Sequence, residues 1–173
     1  MAIKKWSTKE ELENIFHETI SEVLVDVDQN PVHSMNREFG LYEDTGYVKN
    51  NNPQGITLDH SQIISPYRTG FYGTIAMNKM IQSNWRNPNP VFWPDSTFVN
   101  GDKIIRINNW YRGRQLTLSN GSIGLVTFHK RGWQKRFFFK ELERPLNWID
   151  DEENFELAYT ITVHKSIPNF YVI

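Results

Sequence analysis

The stretch from Thr162 to Ser166 gathers side chains suited to nucleic-acid chemistry in this chain of 173 residues. Hydroxyls of Thr162 and Ser166 can donate to phosphate oxygens, and Lys165 can offset phosphate charge. His164 can stack or donate a hydrogen bond; its alternative role is a histidine satisfied by its neighbours beside a strand end. The β-branched run before the stretch predicts a position at the end of a buried strand.

A second segment, residues 102–140, combines cations with aromatic rings. It holds nine lysines or arginines and a single acid, Asp102. Single-stranded nucleic acid is held by a positive groove and by stacked rings, each stacked base contributing about 1–3 kcal/mol. The candidate binding residues are Trp110, Tyr111, Arg112, Arg114, Lys130, Arg131 and Trp133. We expect Phe128 and two of the three phenylalanines 137–139 in the core, and the alternative for the tryptophans and Tyr111 is that they cover the ends of a small barrel.

Several chemistries are not supported by the residue types present. Without cysteine there is neither a disulfide nor a thiolate metal site, and the five histidines lack paired ligand spacing, so we predict no metal site. No segment matches Gly-x-x-x-x-Gly-Lys-Ser/Thr, and the acidic run 150–153 is more typical of a solvated turn than of a magnesium site. No local spacing suggests a hydrolytic triad. We assign no catalytic residue and expect no ATP hydrolysis by this chain alone.

Hydrophobic patterning favours a soluble, cytoplasmic protein without membrane contact. Hydrophobic residues make up 39% and charged residues 23% of the chain, within the ordinary range for a globular protein. No run of about 18 apolar residues could cross a bilayer, and the N-terminus leads into a charged helix rather than an apolar signal core.

The elements that would position these groups begin with a helix. Ser7 to Glu10 form a capping-box pattern, and apolar residues at helical spacing predict a helix to about Val25. Residues 28–61 are rich in Asn, Gly and Pro and predict a long loop or insertion with little regular structure. A strand at residues 62–66 is followed by a loop and a second helix from about Thr74. Glycines just before that helix could admit a phosphate to its amides, or the loop is a plain connection.

Beyond a proline-rich linker at residues 87–94, the pattern changes to short strands. Two Asn-Gly dipeptides, at residues 100–101 and 120–121, predict hairpin turns. Four or five strands in about 45 residues suit a small SH3-like or OB-like β-barrel, and residues 157–163 predict one continuous buried strand. We therefore predict domains at residues 1–94, 95–145 and 146–173, the outer two belonging together.

Three places in this order resemble the C-terminal half of superfamily 1 helicases of the RecD and UvrD type, over roughly residues 60–166. The first is Ile64-Ser65-Pro66-Tyr67-Arg68-Thr69-Gly70 with Gly73 and residues 78–82, similar to the fourth helicase motif. The second is Gly101-Asp102-Lys103 with Asn108-Asn109 and residues 120–124, similar to the barrel signature. The third is residues 158–166, similar to the fifth motif.

The resemblance implies an α/β fold, in which a partial RecA-like parallel sheet with helices is interrupted by the barrel. It implies that Thr162, His164, Lys165 and Ser166 contact single-stranded DNA. Arg68, Gly70 and Gly73 would face the nucleotide cleft, although Arg68 is also compatible with a solvated loop position. ATP and magnesium are implied for a complete helicase, with an N-terminal motor domain as partner, and not for this chain alone.

The sequence departs from the family after Ser166. The family continues with Gln-Gly and then an acidic residue in a nucleotide-binding loop, whereas this chain has Ile167-Pro168, which removes an amide donor and the freedom of glycine. The sixth motif would lie beyond the last residue. The expected function is therefore that of a C-terminal fragment of an ATP-dependent DNA helicase. The alternative is a non-enzymatic accessory module, derived from a helicase, that binds nucleic acid or protein.

Overall fold

The computed structural model describes residues 4–24, 29–86, 96–129, 134–146 and 152–162, and the fold is mixed α/β as predicted. Within these ranges the helices and strands, in chain order, are α1 Lys9–Val23, α2 Pro31–Glu38, β1 Ile63–Ser65, α3 Thr74–Ile81, β2 Asp102–Arg106, β3 Trp110–Arg112, β4 Gln115–Leu118, β5 Ile123–His129, β6 Gln134–Phe139, β7 Phe155–Leu157 and β8 Thr160–Thr162. A π-helical turn, Gln82–Arg86, extends α3. No helix in these ranges is both long and apolar enough to cross a membrane.

Helix α1 begins one residue later than its capping pattern predicts. Thr8, not Ser7, is the N-cap: its hydroxyl accepts from the Glu11 amide at 3.2 Å. The Glu11 carboxylate accepts from the amides of Thr8 and Ser7 at 3.2 and 2.7 Å. The reciprocal geometry needs the acid three residues after the cap, and Glu11 meets that condition for Thr8. The helix ends at Val23, close to the expected end.

The prediction of little regular structure over residues 28–61 is wrong. Residues 31–38 form α2, whose N-cap Asn30 accepts from the His33 amide at 3.1 Å and whose first residue is Pro31. Asn followed by Pro is a favourable helix start, because proline's fixed φ suits the first helical position. Met35 and Phe39 are buried, so the helix is retained by packing. Asn and Pro are also common in turns, so the pair does not by itself distinguish a helix start from a loop.

The predicted strand at residues 157–163 is divided between two sheets over its described part. β7 pairs antiparallel with β2, whereas β8 pairs parallel with β1, placing Ile63 opposite Thr160 and Ser65 opposite Thr162. Between them the Ala158 amide donates to the Lys103 carbonyl at 2.8 Å. Continuous hydrophobicity arises here because both segments are buried, and it does not distinguish one strand from two.

Sheet β6-β5-β2-β7 is antiparallel, and β3 and β4 form a separate hairpin. No sheet in the described ranges closes into a barrel, so the predicted closed barrel is not found there. The hairpin turns at Gly113, which has φ +63°, rather than at either Asn-Gly dipeptide. In both dipeptides the glycine has positive φ and the asparagine does not, so they lack the type I′ geometry that joins a two-residue hairpin.

Both faces of the four-stranded sheet are covered. Leu125 and Phe138 pack into the core formed with the helices, which includes Trp85. The other face has its own core, containing Ile104, Leu118, Val126, Phe137, Phe139 and Phe155. All three phenylalanines of β6 are therefore buried, one more than predicted, while Phe128 is only half-buried. Side chains alternate across a strand, so only a sheet covered on both faces can bury all three.

Candidate nucleic-acid interface

The carboxyl ends of β1 and β8 meet at one edge of the parallel pair. Ser65 lies opposite Thr162 in the register, so the loop that follows β1 leaves beside the last described residue of β8. Thr162 is half-buried. Ligands of parallel α/β sheets are bound at the carboxyl ends of strands. The structure thus brings together the segments that resemble the fourth and fifth motifs; the predicted contacts His164, Lys165 and Ser166 lie outside the described residues.

Two buried amide side chains fix β8 against β1 and α3. Asn78 of α3 donates to the carbonyls of Leu157 and Thr160, both at 2.9 Å, and accepts from the Thr160 amide at 2.7 Å. Gln62, just before β1, donates to the carbonyls of Ala158 and Tyr159 at 3.2 and 3.0 Å. These bonds satisfy backbone groups at the start of β8 and tie that strand to α3 and to the residue before β1.

The loop between β1 and α3 is held by its own backbone. The Ser65 hydroxyl donates to the Tyr72 carbonyl at 2.9 Å. The first amides of α3, Thr74 and Ile75, donate to the carbonyls of Tyr67 and Arg68 at 3.0 and 3.2 Å. These two amides therefore already have acceptors and are not available to a phosphate at the start of α3.

The two loop glycines are explained by local geometry. A Cβ on Gly73 would lie 2.3 Å from the Thr69 carbonyl oxygen, so only glycine permits the loop to close on the helix. Gly70 has φ +81°, a conformation that disfavours other L-residues. Both requirements concern the shape of the loop, and they apply whether or not a nucleotide binds beside it.

Arg68, the charged residue assigned to the cleft, forms a bidentate ion pair with Glu156 of β7. The two N–O distances are 2.7 and 3.3 Å. Hydrogen bonding to the carboxylate raises the pKa of the Arg68 guanidinium, which stays charged. About half of the side chain is exposed, so an incoming phosphate could replace Glu156 as its partner.

The β3–β4 hairpin carries aromatic residues predicted to stack on bases and basic residues predicted to contact phosphates. Tyr111 is 53% exposed, and Arg112 and Arg114 are exposed. Trp110 is half-buried, with the guanidinium of Arg112 6.0 Å and that of Arg106 5.9 Å from its ring. Trp110 thus packs between Arg106 of β2, Arg112 of the hairpin and the core beneath, and is less available for stacking than Tyr111. The other candidates, Lys130, Arg131 and Trp133, lie outside the described residues.

Most of the other described basic residues in the range 102–140 are buried or paired with acidic side chains. Lys103 and Arg106 are buried, Lys135 pairs with Glu152, and Lys140 pairs with Asp59. Among the described basic residues of this segment, only Arg112 and Arg114 are exposed. The surface available to phosphates is therefore smaller than the count of cations predicts.

Asp102, part of the segment resembling the barrel signature, lies in a buried charged cluster instead of on an open surface. Asp102 accepts from the Tyr159 hydroxyl and Gln82 amide, both at 2.6 Å, and from the Val99 amide at 2.7 Å. Burial nevertheless outweighs these donors and raises the pKa of Asp102 to about 6. Arg86, on the turn after α3, is fully buried and donates to Asn36 Oδ1 at 2.6 Å. The cluster joins α2, α3 and β2.

Lys103 provides a second connection between the sheet and the helical part. Its ammonium donates to the carbonyls of Leu58 and Ser61 at 2.9 and 3.0 Å and lies 6.0 Å from the ring of Phe39. Burial lowers the pKa of Lys103 to about 8. The carbonyls accept two of the three ammonium N–H groups, and the negative charges of Asp59 and Glu38 favour the charged form. The contacts of Asp102 and Lys103 are structural: they join β2 to the helical part.

The structure also shows an aromatic cluster, not predicted from the sequence, that includes the loop between β1 and α3. Trp6, Phe71 and Tyr72 lie within 5.0–5.6 Å of one another by ring centroids, and Tyr67 lies 5.1 Å from Tyr72. Tyr67 is 57% exposed. Three aromatic residues within six positions around Gly70 were the available signal; the contribution of Trp6 requires the tertiary fold. No group of three or more side chains suited to a metal ion occurs within the described ranges.

Comparison with known proteins gives one informative similarity. The chain is 33% identical over 115 residues to the RecD subunit of the RecBCD enzyme from Buchnera aphidicola subsp. Acyrthosiphon pisum (strain APS). The match covers 64% of this chain and 18% of that protein, so the chain corresponds to less than a fifth of the length of this relative. No protein-family model matches the chain. The similarity supports a relationship with RecD-like helicases.

Proposed function

We propose that this chain supplies the second motor domain of a superfamily 1 DNA helicase and contributes contacts to single-stranded DNA. The observation that carries the proposal is the parallel pairing of β1 with β8. It places Ser65 and Thr162 at one sheet edge, and their segments are those that resemble the fourth and fifth motifs. In this proposal the parallel pair belongs to a RecA-like sheet, and the four-stranded sheet with its hairpin belongs to an SH3-like insert.

Contacts to DNA are proposed at two places. At the sheet edge, the Thr162 hydroxyl and the following His164, Lys165 and Ser166 bind phosphates. At the hairpin, Tyr111 stacks on a base and the exposed cations Arg112 and Arg114 bind phosphates. Single strands suit these surfaces because their bases are free to stack and their phosphates attract cations.

The nucleotide chemistry is proposed to be shared with an N-terminal motor domain. Nothing in the sequence matches a phosphate-binding loop, so ATP and magnesium would be held mainly by that partner. On this chain Arg68 would exchange Glu156 for a phosphate oxygen, with Gly70 and Gly73 shaping the loop. Pure chain should then show no ATPase activity, with or without DNA. Robust turnover would refute this division of labour.

Binding of a fluorescent oligo-dT by anisotropy tests the DNA contacts, with salt varied from about 50 to 200 mM. Each phosphate contact on a single strand contributes a slope of about 0.7 in log affinity against log salt. Replacing both Arg112 and Arg114 by alanine should therefore lower the slope by about 1.4 and reduce the loss of affinity over the fourfold salt range by about sevenfold. Arg144→Ala, at an exposed arginine in the loop after β6, is the matched control and should change neither.

The outcomes separate the proposal from its alternative. Absence of binding at 50 mM salt, or binding indifferent to salt, would contradict the DNA contacts and favour a protein-binding accessory module. Salt-dependent binding unaffected by the double substitution would leave the sheet edge as the site and remove the hairpin from the proposal. A Lys165→Ala variant then tests the sheet edge by the same slope.

A further inference from the structure

A cavity of about 220 Å³ lies among α1, α2, α3 and the start of β1. Its walls are mainly apolar, with Ile15 and Ile20 from α1, Met77 from α3, and the rings of Phe16 and Phe39. An apolar cavity of about 150 Å³ can hold benzene, so this one is large enough for a compact bicyclic ring. Neither the proposed DNA contacts nor the nucleotide cleft uses this space.

The polar groups of the cavity are grouped together. The Lys103 ammonium lies 3.0 Å from the Ser61 carbonyl, and the Ser61 hydroxyl donates to the Glu38 carboxylate at 3.3 Å. Gln62 follows Ser61 in the chain and lines the same cavity. The cavity therefore has a small polar region beside a larger apolar one. Sites for small molecules commonly have this composition, in which a few polar groups fix the orientation of an apolar body.

Gln62 leaves a buried acceptor without a partner. Its Nε2 is close to three carbonyls, those of Ile63, Ala158 and Tyr159, at 3.0–3.2 Å. Rotating the amide would place Oε1 against these three acceptors, so Nε2 must face them and Oε1 must face away. Only 3% of the residue is exposed, and Oε1 accepts no hydrogen bond from the described residues. Burial of such an oxygen is costly unless a donor reaches it.

We propose that this cavity binds a compact aromatic molecule that carries a single N–H or O–H donor, which the Gln62 Oε1 accepts. The aromatic body fills the space between Ile15, Ile20 and Met77, where water would find few polar partners. The donor satisfies Gln62 Oε1, a buried acceptor to which no described residue donates. Because α1 forms one wall and Gln62 adjoins β1, the bound molecule would hold α1 against the sheet.

Indole and indene test the proposal on the whole chain. The two molecules share a bicyclic shape, but indene has a methylene in place of the N–H. In NMR titrations of ¹⁵N-labelled chain, indole should shift the amide signals of Gln62 and Ile63 and bind at least about tenfold more tightly than indene, as expected for a donor meeting an unsatisfied buried acceptor. Equal affinity of the two, or no shift with either at millimolar concentration, would overturn the proposal.

A matched pair of substitutions on α3 locates the binding. Met77 lines the cavity and is buried, whereas Ile75 on the same helix is 44% exposed. Met77→Trp should abolish indole binding by filling the cavity, and Ile75→Trp should leave it unchanged. Indole binding that survives a folded Met77→Trp variant would place the ligand elsewhere and refute the site. If that variant does not fold, Ile20→Phe fills the same space from α1.

Discussion

Gly101 should tolerate a methyl group poorly for a reason beyond backbone conformation, because the methyl group would meet a buried charged side chain. Its φ is +81°, and a Cβ added there would lie 1.6 Å from Arg86 Nη2 and 2.6 Å from Cζ. The Arg86 guanidinium is fully buried and bonded to Asn36 at 2.6 Å, so it can yield only by leaving that bond. Gly101→Ala therefore forces a buried charge out of position.

Gly113 provides the matched control. It also has positive φ, +63°, but a Cβ there would meet no atom within 4 Å. A left-handed conformation costs an L-residue about 1–2 kcal/mol, of which the stiffer unfolded chain returns about 0.4–1 kcal/mol. Gly113→Ala should thus lower the unfolding free energy by about 1 kcal/mol. Gly101→Ala carries that cost plus about 1.5–3 kcal/mol for the lost hydrogen bond of a charged group, or about 2.5–4 kcal/mol in all.

Urea unfolding followed by tryptophan fluorescence measures both variants, since Trp85 is buried beside the cluster. The two losses should differ by at least 1.5 kcal/mol, a difference set by the hydrogen-bond term. In an Arg86→Met background, where the guanidinium is gone, the losses should become similar, as a double-mutant cycle requires. Equal losses in the unsubstituted background would refute the close approach of Arg86 to Gly101.

Other consequences of the buried polar groups can be measured by the same unfolding assay. Asp102 has a folded pKa of about 6, above its ordinary 3.8, so between these pH values the folded chain retains a proton that the unfolded chain releases. The unfolding free energy of the unsubstituted chain, relative to that of Asp102→Asn, should therefore rise as pH falls from 6 to 4, by up to about 1.4 kcal/mol per pH unit. A flat difference would contradict that pKa. Asn78→Ala should lower the unfolding free energy by about 3 kcal/mol, because buried backbone groups of β7 and β8 lose their hydrogen-bond partners. A loss below about 1 kcal/mol would argue against these hydrogen bonds of Asn78. Thr8→Ala should cost about 1 kcal/mol and Ser7→Ala almost nothing, whereas the reverse order would restore the original capping assignment.

Local patterns predicted many of the elements. The strand before Pro66 and the helix from Thr74 follow from β-branched runs, turn residues and helical spacing. Such signals depend only on neighbouring residues in the chain, so they can be recognised without the tertiary structure. The same rules failed at α2, because Asn30-Pro31 starts a helix as readily as it forms a turn, and the choice depends on whether Met35 and Phe39 find a core.

The candidate site was only partly predictable for a related reason. Residue types from 162 to 166 indicated phosphate chemistry, whereas the role of Arg68 followed only from the resemblance to a helicase motif. Counting cations overestimated the binding surface, since burial of Lys103 and Arg106 depends on partners distant in sequence. The aromatic cluster around Tyr72 was not predicted, because Trp6 joins it from the segment before α1, far away in the sequence.

By itself, then, the sequence determined the mixed α/β composition, the hydroxyl and lysine residues that follow a buried strand, and the likeness to RecD-like helicases. Only the tertiary structure decided that residues 155–162 serve two sheets, that Gly101, Asp102 and Arg86 form a buried cluster, and that Arg112 and Arg114 remain exposed. The physical reason is that burial and pairing of a charge depend on groups brought together from distant positions, whereas strand and turn preferences are local.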